Sequence, residues 1–180
     1  MADKCPSCGN HALNRFAVAG APMDECEMCG EIFGPADLVE LVELQREADA
    51  LGASPESYPL ARFFQDQPFV KVLGDSNGDP VTGKLPSVTF SVINRKLDVI
   101  ENLGQTLRLI RDKLECRWII EYIFDFEPAF ELHAARAVSN PKEQVEPARR
   151  DMAVIWRALR QYSGLGWWRR PSGRLEAPRR

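Results

Sequence analysis

Apolar residues recur at spacings of three and four from Leu38 through Leu41, Leu44 and Ala48 to Leu51, with Glu40, Glu43, Arg46 and Glu47 between them. This pattern predicts an amphipathic helix over 37–52. Gly34-Pro35-Ala36-Asp37 supplies a start, with proline at the first helical position, and Gly52 a stop. A second stripe (Leu97, Ile100, Leu103, Leu107, Ile110 and Leu114) predicts helix from Asn94 onward, and a third (Met152, Ile155, Trp156, Leu159 and Tyr162) predicts helix over about 148–162. Residues 53 to 86 are less regular and are punctuated by five prolines. Within them Phe69 to Leu73 is a short strand candidate, followed by a turn from Gly74 to Pro80. Ser87 to Ile93 fits either a strand or a helix start. Arg117 to Phe126 is the most apolar stretch, and on a strand its even positions (Trp118, Ile120, Tyr122, Phe124 and Phe126) would all face one way. As a helix the same stretch would be largely buried, so it is core in either form.

Composition places this pattern in a soluble, globular chain. It has 180 residues, 44% hydrophobic and 27% charged, enough for a real core. No apolar run is long enough to suggest a membrane-spanning helix. The N-terminus lacks the charged-then-apolar layout of a secretory signal, so a cytoplasmic protein with reduced thiols is expected.

That setting gives the cysteines their meaning. Cys5-Pro-Ser-Cys8-Gly9 is echoed by Cys26-Glu-Met-Cys29-Gly30, with seventeen residues between Cys8 and Cys26. Two Cys-x-x-Cys knuckles at this distance supply the four thiolates that a tetrahedral Zn2+ accepts. Glycine after each knuckle lets the backbone curl so that amides point at the sulfurs. A rubredoxin-like iron centre uses the same ligand type, but the loop is short for it and the aromatic shell sparse. A thioredoxin-like dithiol needs one Cys-x-x-Cys at a helix start beside a strand, which two matched knuckles argue against. The expectation is one structural Zn2+ held by Cys5, Cys8, Cys26 and Cys29. A site with four protein ligands leaves no open position for chemistry.

Residues 4 to 44 resemble the small zinc ribbons grouped as "transcription factor zinc-finger", related to the ribbon of transcription factor B. The likeness rests on Cys5-Pro-x-Cys8, Leu13, Asp24 before the second knuckle, Ile32-Phe33 after it, and a helix opening with Asp37-Leu38. Where that family commonly has a second glycine and a Trp-Leu pair, this chain has Glu31 and Ile32-Phe33. The resemblance implies a ribbon fold, but ribbons serve many roles, so it does not carry a function. Lys4 and Arg15 stand against Asp3, Asp24, Glu25, Glu27 and Glu31. An acidic module of this kind is poorly placed to grip phosphates.

Several motifs only imitate chemistry. Gly78 to Leu85 resembles a phosphate loop, yet Leu85 stands where Ser or Thr must hold Mg2+. Asp75, Asn77 and Asp79 resemble a calcium loop, but prolines replace its glycine and bidentate glutamate. Both read as a hairpin turn. Glu121, Asp125, Glu127, Glu131 and His133 form a carboxylate–histidine cluster without the Glu-x-x-His spacing of a di-iron helix, and read as solvated helix surface. Cys116 reads as a small buried hydrophobe. No nucleophile–base pairing is apparent, so no enzyme and no small-molecule substrate are expected.

The charge is unevenly distributed. Residues 148–180 hold nine arginines against Asp151 and Glu176, so the net −3 of the chain combines a basic end of +7 with an acidic remainder of −10. Arg149, Arg150, Arg157 and Arg160 share one arc of the predicted helix, and Trp167, Trp168, Arg169 and Arg170 lie in the tail beyond it. Either the arginines face water and the protein's own acidic surface, or they form a docking arm. A protein partner, nucleic acid or an anionic membrane surface would suit such an arm.

The expected architecture is α+β and α-rich. It comprises a zinc ribbon (1–36), a connecting helix (37–52), an α-rich domain (53–162) with a candidate β-hairpin over 69–93, and a basic Trp/Arg tail (163–180). The expected function is a non-enzymatic zinc-binding adaptor or accessory subunit. The alternatives are a nucleic-acid-binding or transcription-related regulator and a rubredoxin-like iron electron carrier.

Overall fold

The computed structural model describes residues 3–93, 97–124, 128–136 and 140–163. The chain begins with a three-stranded antiparallel sheet in the order β1-β2-β3, formed by β1 (Leu13–Val18), β2 (Ala21–Cys26) and β3 (Ile32–Phe33). The β1–β2 turn is tight because Ala19 and Gly20 both adopt positive φ. Helix α1 (Ala36–Leu51) follows directly. Pro35 caps it one residue before the expected position, its carbonyl accepting from the amides of Leu38 and Val39. The helix ends as expected at Gly52, whose left-handed φ of 67° directs its amide back to Asp49.

The body combines a four-stranded antiparallel sheet with helices. Its strands are β4 (Val70–Ser76), β5 (Ser87–Val92), β6 (Trp118–Phe124) and β7 (Pro128–Ala134), in the order β4-β5-β7-β6. The described residues are 41% helix and 28% strand, which makes the fold α+β. The expected hairpin is present as β4–β5, and a second hairpin, β6–β7, joins it. The stretch from Arg117 therefore forms a strand and not a helix. Glu121, Glu131 and His133 lie on β6 and β7, which corrects the reading of their cluster as helix surface. Asp125 and Glu127 fall outside the described residues.

Alternation along β5 explains how the sheet packs. Val88 and Phe90 are buried on one face, while Ser87, Thr89 and Ser91 occupy the other. Register places Leu132 and Trp118 on the apolar face with Val88 and Phe90. Helices α2 (Tyr58–Gln65), α3 (Asp98–Leu109) and α4 (Pro141–Ser163) supply the opposing apolar side chains. Phe64 of α2 stacks on Phe90 with ring centroids 4.7 Å apart. Met152, Ile155, Trp156 and Leu159 of α4 are fully buried. Helix α2 falls in the segment read as irregular; Pro59 near its start, followed by Leu60, Phe63 and Phe64, is the signal that marks it. Helix α4 begins at Pro141, earlier than the expected 148, and runs through Pro147.

A buried carboxylate ties these layers together. Asp151 of α4 accepts hydrogen bonds from the amides of Glu115 and Cys116, each at 2.8 Å, and from the Trp118 indole at 3.0 Å. Three donors around one carboxylate replace the water it gives up on burial. They fix α4 against the start of β6. Cys116 is buried as expected, and burial, helped by the Asp151 charge, pushes its thiol pKa up.

Candidate metal centre

The two knuckles fold alike. In the first, the Cys5 amide donates to the Asn10 carbonyl at 2.7 Å and the Gly9 amide to the Cys5 carbonyl at 2.9 Å. In the second, the Cys26 amide donates to Glu31 at 2.8 Å and the Gly30 amide to Cys26 at 2.8 Å. Gly9 and Gly30 take φ of 73° and 72°, a left-handed conformation that costs residues with a Cβ and not glycine. The glycines at matching places in the sequence thus close two equivalent turns.

Hairpin β1–β2 brings these turns together. Leu13 pairs with Cys26 across the ladder, so the first strand starts beside the second knuckle. The four sulfurs of Cys5, Cys8, Cys26 and Cys29 all lie within 4.8 Å of one another. Cys8 Sγ is 3.4 Å from Cys26 Sγ, and Cys5 Sγ is 3.6 Å from Cys29 Sγ. Thiolates bound tetrahedrally to Zn2+ at about 2.3 Å stand about 3.8 Å apart, so the cluster has the dimensions of a four-sulfur metal site. Within each knuckle the first cysteine is buried and the second exposed.

The electrostatics fit a cation. Backbone amides, that of Cys29 foremost, stabilise the Cys26 thiolate and lower its pKa to about 7. Cys29 goes the other way: the Glu31 amide favours its thiolate, but the neighbouring sulfurs and burial outweigh it and push the pKa up to about 12. Four thiols this close cannot all ionise without a positive ion among them. Glu31 adds to the negative field, with its carboxylate 3.4 Å from Cys5 Sγ. In the sequence Glu31 stood out as a departure from the ribbon pattern and as one of the module's acidic residues, without a sign that it lies against a cysteine.

The centre is attached to the body through α1. Arg46 donates to the Glu25 carboxylate at 2.6 Å and reaches the Gly30 carbonyl at 3.5 Å. Met23 and Ile32 of the ribbon belong to the same buried cluster as Leu38, Leu41 and Leu60. His11 is exposed, with Nδ1 2.9 Å from the Asp3 carbonyl, and takes no place among the sulfurs.

The four arginines of the predicted arm are placed individually. Arg149 donates to the carbonyls of Asn77 and Gly78 at 2.8 and 3.1 Å and pairs with Glu146. Arg150 makes a two-pronged pair with Glu115 at 2.7 and 2.8 Å. Arg157 pairs with Asp37, and Arg160 with Glu40 at 2.7 Å while lying over the Trp156 ring. Trp167, Trp168, Arg169 and Arg170 lie outside the described residues.

The calcium-like and phosphate-like motifs meet in the β4–β5 hairpin, but its turn starts later than expected: Gly74, Asp75 and Ser76 extend β4, and residues 77–86 make the connection. Asn77 Oδ1 accepts from the amides of Glu56 and Ser57, and Asp75 accepts from the Ser57 hydroxyl. The Asp79 carboxylate accepts from the Val81 amide and the Thr82 hydroxyl, each at 2.8 Å, and the Asp79 backbone amide donates to the Lys84 carbonyl at 2.7 Å. Gly78 is required here: a Cβ would lie 2.5 Å from the Lys84 carbonyl oxygen.

Among the described residues no helix is long and apolar enough to cross a membrane. No protein-family model, curated protein or solved structure matches the chain.

Proposed function

We propose that the protein is a non-enzymatic, zinc-binding adaptor or accessory subunit whose N-terminal residues 1–36 form a ribbon of the transcription factor B-like type. The observation that carries this reading is the cluster of four sulfurs within 4.8 Å on two matched knuckles. All four tetrahedral positions are taken by protein ligands, so Cys5, Cys8, Cys26 and Cys29 would hold Zn2+ and the ion would supply structure. In this reading the ribbon, α1 and the body present surfaces to a protein partner in the cytoplasm, and the C-terminal segment from 163 contributes to docking.

The placement of the arginines favours a protein partner over nucleic acid. Arg149, Arg150, Arg157 and Arg160 are engaged by carboxylates and backbone carbonyls of the same chain. A phosphate would have to compete with those partners. The test has two parts. Metal analysis of protein from its native host should find one zinc per chain and no iron, and iron would move the reading to an electron carrier. Affinity purification with mass spectrometry should recover a protein partner. Recovery of nucleic acid, lost when residues 148–180 are deleted, would replace the adaptor with the regulator.

A further inference from the structure

The two edges of the body sheet are built differently. Edge strand β4 carries a bulge between Val72 and Gly74, bears Lys71 and Asp75, and has α2 packed against it. Bulges, charges and a covering helix are the devices that keep an edge from pairing with another chain. Edge strand β6 is less protected: it has no bulge, and α3 touches it less extensively than α2 touches β4. Its register with β7 is unbroken from Trp118 to Phe124, and Glu121 is its one charge. Tyr122 and Phe124 are 56% and 69% exposed. Among the described residues no strand pairs with its outer side.

The sequence of β6 also mirrors itself. Trp118-Ile-Ile-Glu121-Tyr-Ile-Phe124 reads nearly alike in both directions about Glu121. Laid antiparallel on a copy of itself with Glu121 at the two-fold axis, the strand sets Trp118 opposite Phe124. Ile119 then meets Ile123, and Ile120 meets Tyr122. Every apolar residue thereby meets another, and aromatic and branched side chains opposite one another are favourable cross-strand pairs. Each pair joins positions of the same parity, so the helix-bearing faces of both copies stay on one side of a continuous sheet. A slip of two residues would place Glu121 opposite Ile119, and a slip of one would exchange the faces.

We propose that β6 is a self-complementary edge through which two copies of this chain join into one continuous antiparallel sheet, an interface independent of the metal centre. Glu121 limits its strength. The two Glu121 carboxylates face each other at the axis, each already 3.1 Å from His133 Nε2 of its own β7. Like charges directly opposite oppose pairing, so the dimer is reversible.

The test is sedimentation equilibrium of the full, metal-loaded chain from low micromolar to several hundred micromolar, read together with amide hydrogen exchange. The 20.3 kDa chain should show a monomer–dimer equilibrium, and protection of the 118–124 amides should rise with concentration. Phe124→Lys removes two symmetric contacts and should raise the dimer Kd about tenfold, whereas Glu121→Gln should lower it about threefold. The second variant gains association, an outcome that misfolding of the first does not mimic. A chain that stays monomeric throughout overturns the proposal. So does a monomer whose 118–124 amides are already protected, which means the chain covers its own edge. A dimer indifferent to both substitutions overturns it too, because its interface lies elsewhere.

Discussion

The ribbon and the body hold their chains by opposite means. In the ribbon a short acidic segment is organised around one point, where four sulfurs converge and few apolar side chains are enclosed. In the body organisation is spread across a helix layer and a sheet layer, with Phe64, Phe90, Met152, Ile155 and Trp156 fully buried between them. A small unit cannot enclose enough apolar surface to hold itself, so on the zinc reading a metal takes the place of a core. A larger one can, and its polar groups then fix register, as Asp151 does. The two schemes differ in failure: one should collapse when a single ion is removed, the other should erode by increments.

Metal removal should produce the largest effect. Binding of about 10–16 kcal/mol underlies the folding of small zinc peptides, so chelation or Cys26→Ser should unfold the ribbon. Limited proteolysis should then cut within residues 3–33, while far-ultraviolet circular dichroism retains most of the helical signal. Uniform loss of helicity would erase the contrast between the regions. Met23 and Ile32 contribute to the common core, so the melting temperature of the body should fall modestly.

The matching injury to the body is Asp151→Ala. It leaves the amides of Glu115 and Cys116 and the Trp118 indole without their acceptor, at a cost of about 3–5 kcal/mol in denaturant unfolding. Metal stoichiometry should be unchanged; loss of the metal would show that the centre depends on the body.

The joint between the regions should respond less. Arg157→Ala with Arg160→Ala breaks the pairs to Asp37 and Glu40, all four side chains being partly exposed. Each pair contributes up to about 1 kcal/mol, and the deficit should shrink as salt is added. The smallest effect concerns acid. The Arg150 hydrogen bonds hold the Glu115 carboxyl below the usual range, so Glu115 binds its proton less readily folded than unfolded. The contribution is complete above the ordinary carboxylate pKa and disappears as pH falls through the depressed value. With both side chains about half exposed, it should stay under about 1 kcal/mol, and Arg150→Gln should remove that part of the acid dependence.

How much of this was legible in the sequence follows from the same contrast. The clustering of the four cysteines could be read because ligand type, spacing and the two glycines are local, and each constrains a single turn. Helix α1 could be read for a similar reason, since stripe, start and stop lie within its own residues. Strand β6 showed its alternating face yet left helix open, because a short apolar run fits either form; its reading as core holds at Trp118 but not at Tyr122 and Phe124, which the sheet edge leaves exposed. Strand β7 was hidden by Glu131, Leu132, His133 and Ala134, residues whose strand conformation is imposed by pairing on both sides. Asp151 gave no signal: its donors lie more than thirty residues away. The spacing of the arginines put them on one arc of the helix, but it gave no sign of the groups that hold them, which come from α1, the β4–β5 turn, the residues before β6 and α4 itself.

The clasp between α1 and α4 has a consequence in time. Arg160 reaches Glu40 across 120 residues, and the same helix, α4, carries Met152, Ile155 and Trp156 into the centre of the body. All four candidate ligands are present once Cys29 has been made, so on the zinc reading the ribbon can close around its ion before the body forms. The body cannot close until α4 has emerged, because the helix that fills it follows every strand it packs against. During that interval α1 and the sheet have no lid. On the proposed zinc reading, the protein therefore acquires its shape in two instalments, one timed by the arrival of a metal and the other by the arrival of a helix.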